Sequence, residues 1–117
     1  MDMNRMIGTI RVHPDFSKTG MIASHLGIVR GTSLNGQPVQ GIHVTFDQFI
    51  LDNIISDIKQ MPGIIDVLVE TNEGRLKVGD EILAVVIGGD TREHVFPALI
   101  EAVNRIKAEG AAKKELF

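Results

Sequence analysis

Residues 72–87 read Asn-Glu-Gly-Arg-Leu-Lys-Val-Gly-Asp-Glu-Ile-Leu-Ala-Val-Val-Ile, and the reading of this stretch decides the fold. The polar segment from Thr71 to Glu81, interrupted by Gly74 and Gly79, predicts a loop or turn. Ile82 to Ile87 is an unbroken apolar run. Without polar alternation, such a run predicts a strand covered on both faces. Beyond it the period changes, and a final helix is predicted from near Asp90 to about Glu109. Asp90 and Glu93 stand as in a capping box, with Asp in place of Ser or Thr. Phe96, Leu99, Ile100, Val103 and Ile106 form the predicted buried stripe. Pro97 inside it costs roughly 3 kcal/mol in a helix interior, so either the first turn is separate or the helix bends.

Upstream, Phe46, Phe49, Ile50, Ile54, Ile58 and Met61 fall on one helical face, and Pro62-Gly63 ends that helix. Ile64 to Glu70 reads as a strand. Met21 to Arg30 and Ile42 to Phe46 read as two strands joined by the turn signal Asn35-Gly36 with Pro38, which predicts a hairpin. Ile7 to Val12 alternates apolar and polar and predicts a further short strand, broken by His13-Pro14-Asp15. The element order predicts an α+β fold, a two-layer sandwich of a mostly antiparallel sheet with two main helices.

At 117 residues the chain is expected to be one domain around one core. Its few aromatic residues are all Phe, so Ile, Val, Leu and Met must build that core. With no cysteine there is neither a disulfide nor an internal thiolate, and sulfur chemistry would need sulfur delivered by a partner. The net charge of −3 argues against broad nucleic-acid binding. No apolar run is long enough to span a bilayer, and Met1 to Arg11 lacks the apolar core of a signal peptide. A soluble cytoplasmic protein is expected.

Cations are the candidate chemistry. Asp90-Thr91-Arg92 lies where the buried strand meets a helix start, a place that favours anions. Arg92 there is either a solvated side chain or a fork for phosphate or carboxylate. Lys107, Lys113 and Lys114 sit at or past the predicted helix end, where they also complement the dipole. Lys107 and Lys114 are seven apart, on one side of a helix if it continues through Gly110. Arg30 ends a strand beside a glycine-rich loop. His13, His25, His43 and His94 show no metal-ligand spacing, and no metal or cofactor site is expected. His25 and His43 could face each other across the hairpin, as satisfied or exposed residues.

These pieces together resemble the catalytic (large) subunit of molybdopterin synthase. His25-Leu26-Gly27-Ile28-Val29-Arg30-Gly31 resembles the family's strand ending Gly-x-Val-Arg. Gly74-Arg75-Leu76-Lys77-Val78-Gly79-Asp80-Glu81, with the apolar strand after it, is similar to the family's most recognisable stretch. Arg92 falls at the family's His-Arg pair, Phe96 at its following phenylalanine, and Lys107 and Lys114 reproduce the spacing of its two lysines. The resemblance implies an α/β-hammerhead-like fold and a homodimer in which each copy binds a small ubiquitin-like sulfur-carrier subunit. The carrier's C-terminal Gly-Gly thiocarboxylate would supply sulfur to cyclic pyranopterin monophosphate. It also implies Lys107 and Lys114 as catalytic residues, and Arg30, Arg92 and Thr91 as substrate-binding residues.

The chain departs from the family at Thr91, where histidine is usual, and at Ala111-Ala112-Lys113, where a Pro-aromatic-Trp stretch is usual. It also lacks the Tyr-rich start of the middle helix, and its end at Phe117 leads to the expectation that the closing C-terminal tail is absent. Two other readings stay open. One is a non-catalytic paralogue that binds a pterin or a carrier protein. The other is a ferredoxin-like sensor of small molecules, suggested by the junction Met61-Pro62-Gly63-Ile64-Ile65-Asp66-Val67.

Overall fold

A computed structural model describes residues 1–117. The apolar run at 82–87 becomes the centre of strand β5, Glu81–Gly89. It lies between β1, Met21–Ile28, and β3, Ile64–Thr71, antiparallel to both. Alternate side chains of β5 enter two different cores. Leu83, Val85 and Ile87 pack under α2, Gln48–Lys59, and α3, Arg92–Arg105. Ala84 and Val86 pack under α1, Met3–Arg11. Both faces are dry, which is why the strand carries no polar alternation.

A second antiparallel sheet has β2, Gly41–Phe46, at its centre, flanked by β4, Gly74–Lys77, and β6, Ala111–Leu116. The architecture is therefore α+β, with two three-stranded sheets and three helices. The expected hairpin does not form. Gly36 does make a tight turn, with φ 83° and its N–H donating to Ser33 O at 3.0 Å. However, the strands on either side of that turn join different sheets: β1 pairs with β5, and β2 with β4 and β6. His25 and His43 accordingly do not face each other. Turn chemistry specifies a local reversal, whereas pairing depends on which sheet edges are available.

Residues expected as a strand at 7–12 belong mostly to α1. The Asp2 side chain accepts from Arg5 N at 3.1 Å and caps it, and Met6 and Ile10, four apart, are buried. Over six residues the two periods overlap, and the cap with the docked face decides. In α2 the Asp47 side chain accepts from Ile50 N at 3.1 Å. Leu51, Ile54 and Ile58 are its buried residues, while Phe49, expected inside, is 75% exposed. The segment expected as a loop at 71–81 contains β4, whose Leu76 is buried.

α3 runs unbroken through Pro97 and caps differently from expectation. Thr91 is the N-cap residue. The Asp90 carboxylate accepts from Thr91 N at 2.6 Å and pairs with His94 Nδ1 at 2.7 Å, while Glu93 lies beside Arg92. Val95, Ala98, Ala102 and Ile106 form the fully buried stripe. Of the expected one, Ile106 is inside, Leu99 and Val103 pack partly buried against the core, and Phe96 and Ile100 are half or more exposed. After Arg105 the chain makes one turn of π-helix, Ile106–Gly110, and enters β6. The two lysines expected beyond a helix end thus lie on a strand.

Candidate functional site

A cavity of about 780 Å³ opens where the two sheets meet. That volume suits a small-molecule guest. β2 contributes Ile42, Val44 and Phe46, one face of an alternating strand. From β6 come Ala111, Lys113 and Glu115, which are paired to Phe46, Val44 and Ile42 respectively. β1 contributes His25 and Gly27, and β5 adds Ile82 and Leu83. A register shift between Gly27 and Ile28 lets Ile28 line the cavity beside Gly27. Such bulges re-aim side chains at a strand end. Arg30 follows just past it, and Lys107 enters from the π turn.

The electrostatics are one-sided. Arg30, Lys107 and Lys113 line the cavity against one carboxylate, Glu115, and none of these four takes part in a salt bridge. Arg105 nearby in sequence is spoken for, with Asp57 at 2.8 Å and Glu109 at 3.0 Å holding its guanidinium firmly protonated. Free guanidinium and ammonium groups over an apolar floor make an anion site. His25 completes the wall. Burial, and then the charge of Lys107, push its pKa below the ordinary value of 6.5, so the ring stays neutral at neutral pH.

Of the residues singled out from sequence, the cavity gathers Arg30 and Lys107 and leaves out Lys114, Arg92 and Thr91. The shared helical side expected for Lys107 and Lys114 needs a continuous helix, and none runs through Gly110. On β6 the alternation turns Lys113 inward, while Lys114 shares the outer face with His43 and Arg75, its neighbours in register. Thr91 and Arg92 start α3, whereas Lys107 follows its end, about 20 Å away at 1.5 Å rise per residue. Arg92 is exposed and its Nε lies 3.4 Å from Glu93. The unpaired cations of the cavity therefore gather near the C-terminal end of α3, where side chains and not the helix dipole supply positive charge.

Sequence reading left His25, on the expected strand Met21 to Arg30, as a satisfied or exposed residue without a role, and it passed over Glu115. Reading 111–116 as a strand would have put Ala111, Lys113 and Glu115 on one face. The junction Met61 to Val67, which suggested a sensor, lines no part of the cavity.

Residues 2–109 match the model of the MoaE protein family. The chain belongs to that family. With it goes a role in molybdenum cofactor biosynthesis, as the resemblance to molybdopterin synthase large subunits implied. An uncharacterized protein of Methanocaldococcus jannaschii is 30% identical over 94 residues, which span 77% of this chain and 79% of that one. Among solved structures, molybdopterin cofactor biosynthesis protein E from Burkholderia multivorans superposes with a TM-score of 0.79 at 24% identity, over 100% of this chain and 77% of that one. A complex of subunits 1 and 2 of molybdopterin-converting factor from Helicobacter pylori contains a chain similar at TM-score 0.71 and 16% identity, covering 100% of this chain and 84% of that one. At such identities the likeness establishes the fold. No helix is long and apolar enough to cross a membrane.

Proposed function

We infer that the protein is the sulfur-transferring subunit of a molybdopterin synthase, with its reaction centre in the cavity between the sheets. The observation that carries this reading is the set of three unpaired cations, Arg30, Lys107 and Lys113, on one cavity of substrate size. The guest is cyclic pyranopterin monophosphate, an anion. The sulfur comes from a thiocarboxylate at the Gly-Gly terminus of a small ubiquitin-like carrier, which suits a chain with no cysteine of its own. The Helicobacter pylori complex of two converting-factor subunits supports a small-subunit partner.

In this reading Lys107 serves the covalent or acid–base step at the transferred sulfur, and Arg30 holds phosphate or the carrier's carboxylate. Lys113 takes the assisting part that spacing had given to Lys114, because it faces the guest. Fixed cations beside an apolar wall stabilise negative charge as it develops on the thiocarboxylate carbonyl oxygen, without reorganisation. Arg92 and Thr91 take part only if a second copy of the chain brings its α3 start to the cavity mouth, as the proposed homodimer would.

The test is conversion in vitro. The protein, a thiocarboxylated carrier and cyclic pyranopterin monophosphate should together yield the dithiolene product. Lys107→Ala should lose at least about a hundredfold in rate while keeping its melting temperature. Turnover undiminished in that variant would remove Lys107 from the chemistry, and absence of product with the wild type would favour a paralogue that only binds.

A further inference from the structure

His25 is the cavity group for which the sulfur-transfer reading has no use. It projects from the middle of β1, two residues before Gly27 on the same face. A Cβ at Gly27 would stand 3.4 Å from Nε2, so the glycine leaves room for the tip of the ring. That nitrogen is sealed from solvent and has no hydrogen-bond partner. Buried polar atoms are nearly always paired, so an orphan at a cavity wall points to a partner that arrives with the guest.

The titratable groups that share the cavity with the ring are Arg30 after β1, Lys107 on the π turn, and Lys113 and Glu115 on β6. β2 and β5 offer it only apolar side chains, and the buried stripe of α3 is apolar as well. Burial and then a neighbouring ammonium both oppose a charged imidazole. A bound anion reverses that balance, because it offsets the cations and offers an acceptor to a ring N–H.

We propose that His25 is the proton-accepting contact of this cavity: an oxyanion gripped by Arg30, Lys107 and Lys113 brings one proton from solvent onto the His25 ring, and a small turn of the ring about its Cβ–Cγ bond presents Nε2–H to the oxyanion. The proton leaves with the anion, so binding and protonation are linked. By reciprocity, whatever raises the affinity of the ring for a proton raises the affinity of the protonated protein for the anion by the same factor. The inference rests on the cavity's being an anion site and is independent of the sulfur chemistry.

The experiment is an NMR titration of the His25 ring in the full chain, from about pH 5 to about pH 9. It is run alone, with sulfate, which does not titrate in this range, and with glycylglycine as a carboxylate probe. Alone, the ring should titrate below the ordinary histidine value. Sulfate or glycylglycine should raise its midpoint by about one unit, equivalent to about tenfold tighter binding to the protonated form. The probe that does so identifies phosphate-like or terminal-carboxylate chemistry as the natural anion. In His25→Gln, which keeps a polar tip but cannot titrate, and in His25→Phe, anion affinity should be flat over this range. If signals of Arg30 and Lys107 respond to the anions and the His25 midpoint does not, the proposal falls and the anion site stands. If nothing responds, both fall.

Discussion

Lys113 and Lys114 are neighbours in the chain and project from opposite faces of β6, one into the cavity and one beside His43 and Arg75. The difference is measurable, since hydrogen bonds to charged groups contribute about 1.5–3 kcal/mol. Lys113→Ala should weaken sulfate binding in the cavity by about tenfold to a hundredfold, and Lys114→Ala by no more than about twofold. Calorimetric titration of the two variants checks this, and equal losses would contradict the strand alternation. A second residue-scale effect concerns Asp90. Its hydrogen bond with His94 first, and that from Thr91 N after it, hold its carboxyl below the ordinary 3.8. The folded value is the depressed one, so the stabilisation is present above 3.8 and is lost as pH falls through the folded pKa. Asp90→Asn should therefore melt below wild type at neutral pH, with the gap closing in acid of that range.

At the scale of elements, β5 supports every layer that touches it. Ile87 is wholly buried between the sheet and the two helices, and its truncation to Ala should cost about 2–5 kcal/mol in urea unfolding, against about 0.5–1.5 for Ile87→Val. The second sheet depends on close backbone approach. A Cβ at Gly41 would collide with the carbonyl oxygen of Leu76 on β4. Backbone cannot swing aside as a side chain can, so Gly41→Ala should destabilise by about 1–3 kcal/mol or more and disturb the β2 wall of the cavity. Retained stability and retained sulfate affinity in that variant would show that the β2–β4 pair adjusts freely.

At the scale of the whole molecule, the cavity is a joint between a deeply covered sheet and a thinner one. β5 has helices on both faces and a strand on each side, whereas β4 and β6 are edges. Amide exchange should be slowest along β5 and much faster along β6, since local opening tracks the contacts that must be broken. The mouth carries Leu34, 91% exposed, and Ile28, 43% exposed, both lining the cavity. Single exposed apolar residues are ordinary, but two at the rim of an anion site suit a carrier whose tail enters there. Leu34→Asp should raise the carrier concentration needed for half-maximal conversion several-fold and leave the rate at saturating carrier unchanged.

Much of this was legible from residues alone. The run Ile82 to Ile87 determined a strand dry on both faces, because only an environment without water removes the need for polar alternation. Pro62-Gly63 determined where α2 stops, and the order of short motifs from His25 to Lys114 pointed to the family. Only the tertiary structure decided that β1 pairs with β5, that Lys113 and not Lys114 lines the cavity, and that His25 and Lys107 share it. Hydrophobic period is a property of neighbouring residues. Strand partners and the cavity they enclose come from contacts between segments far apart in the chain, and no local pattern encodes those.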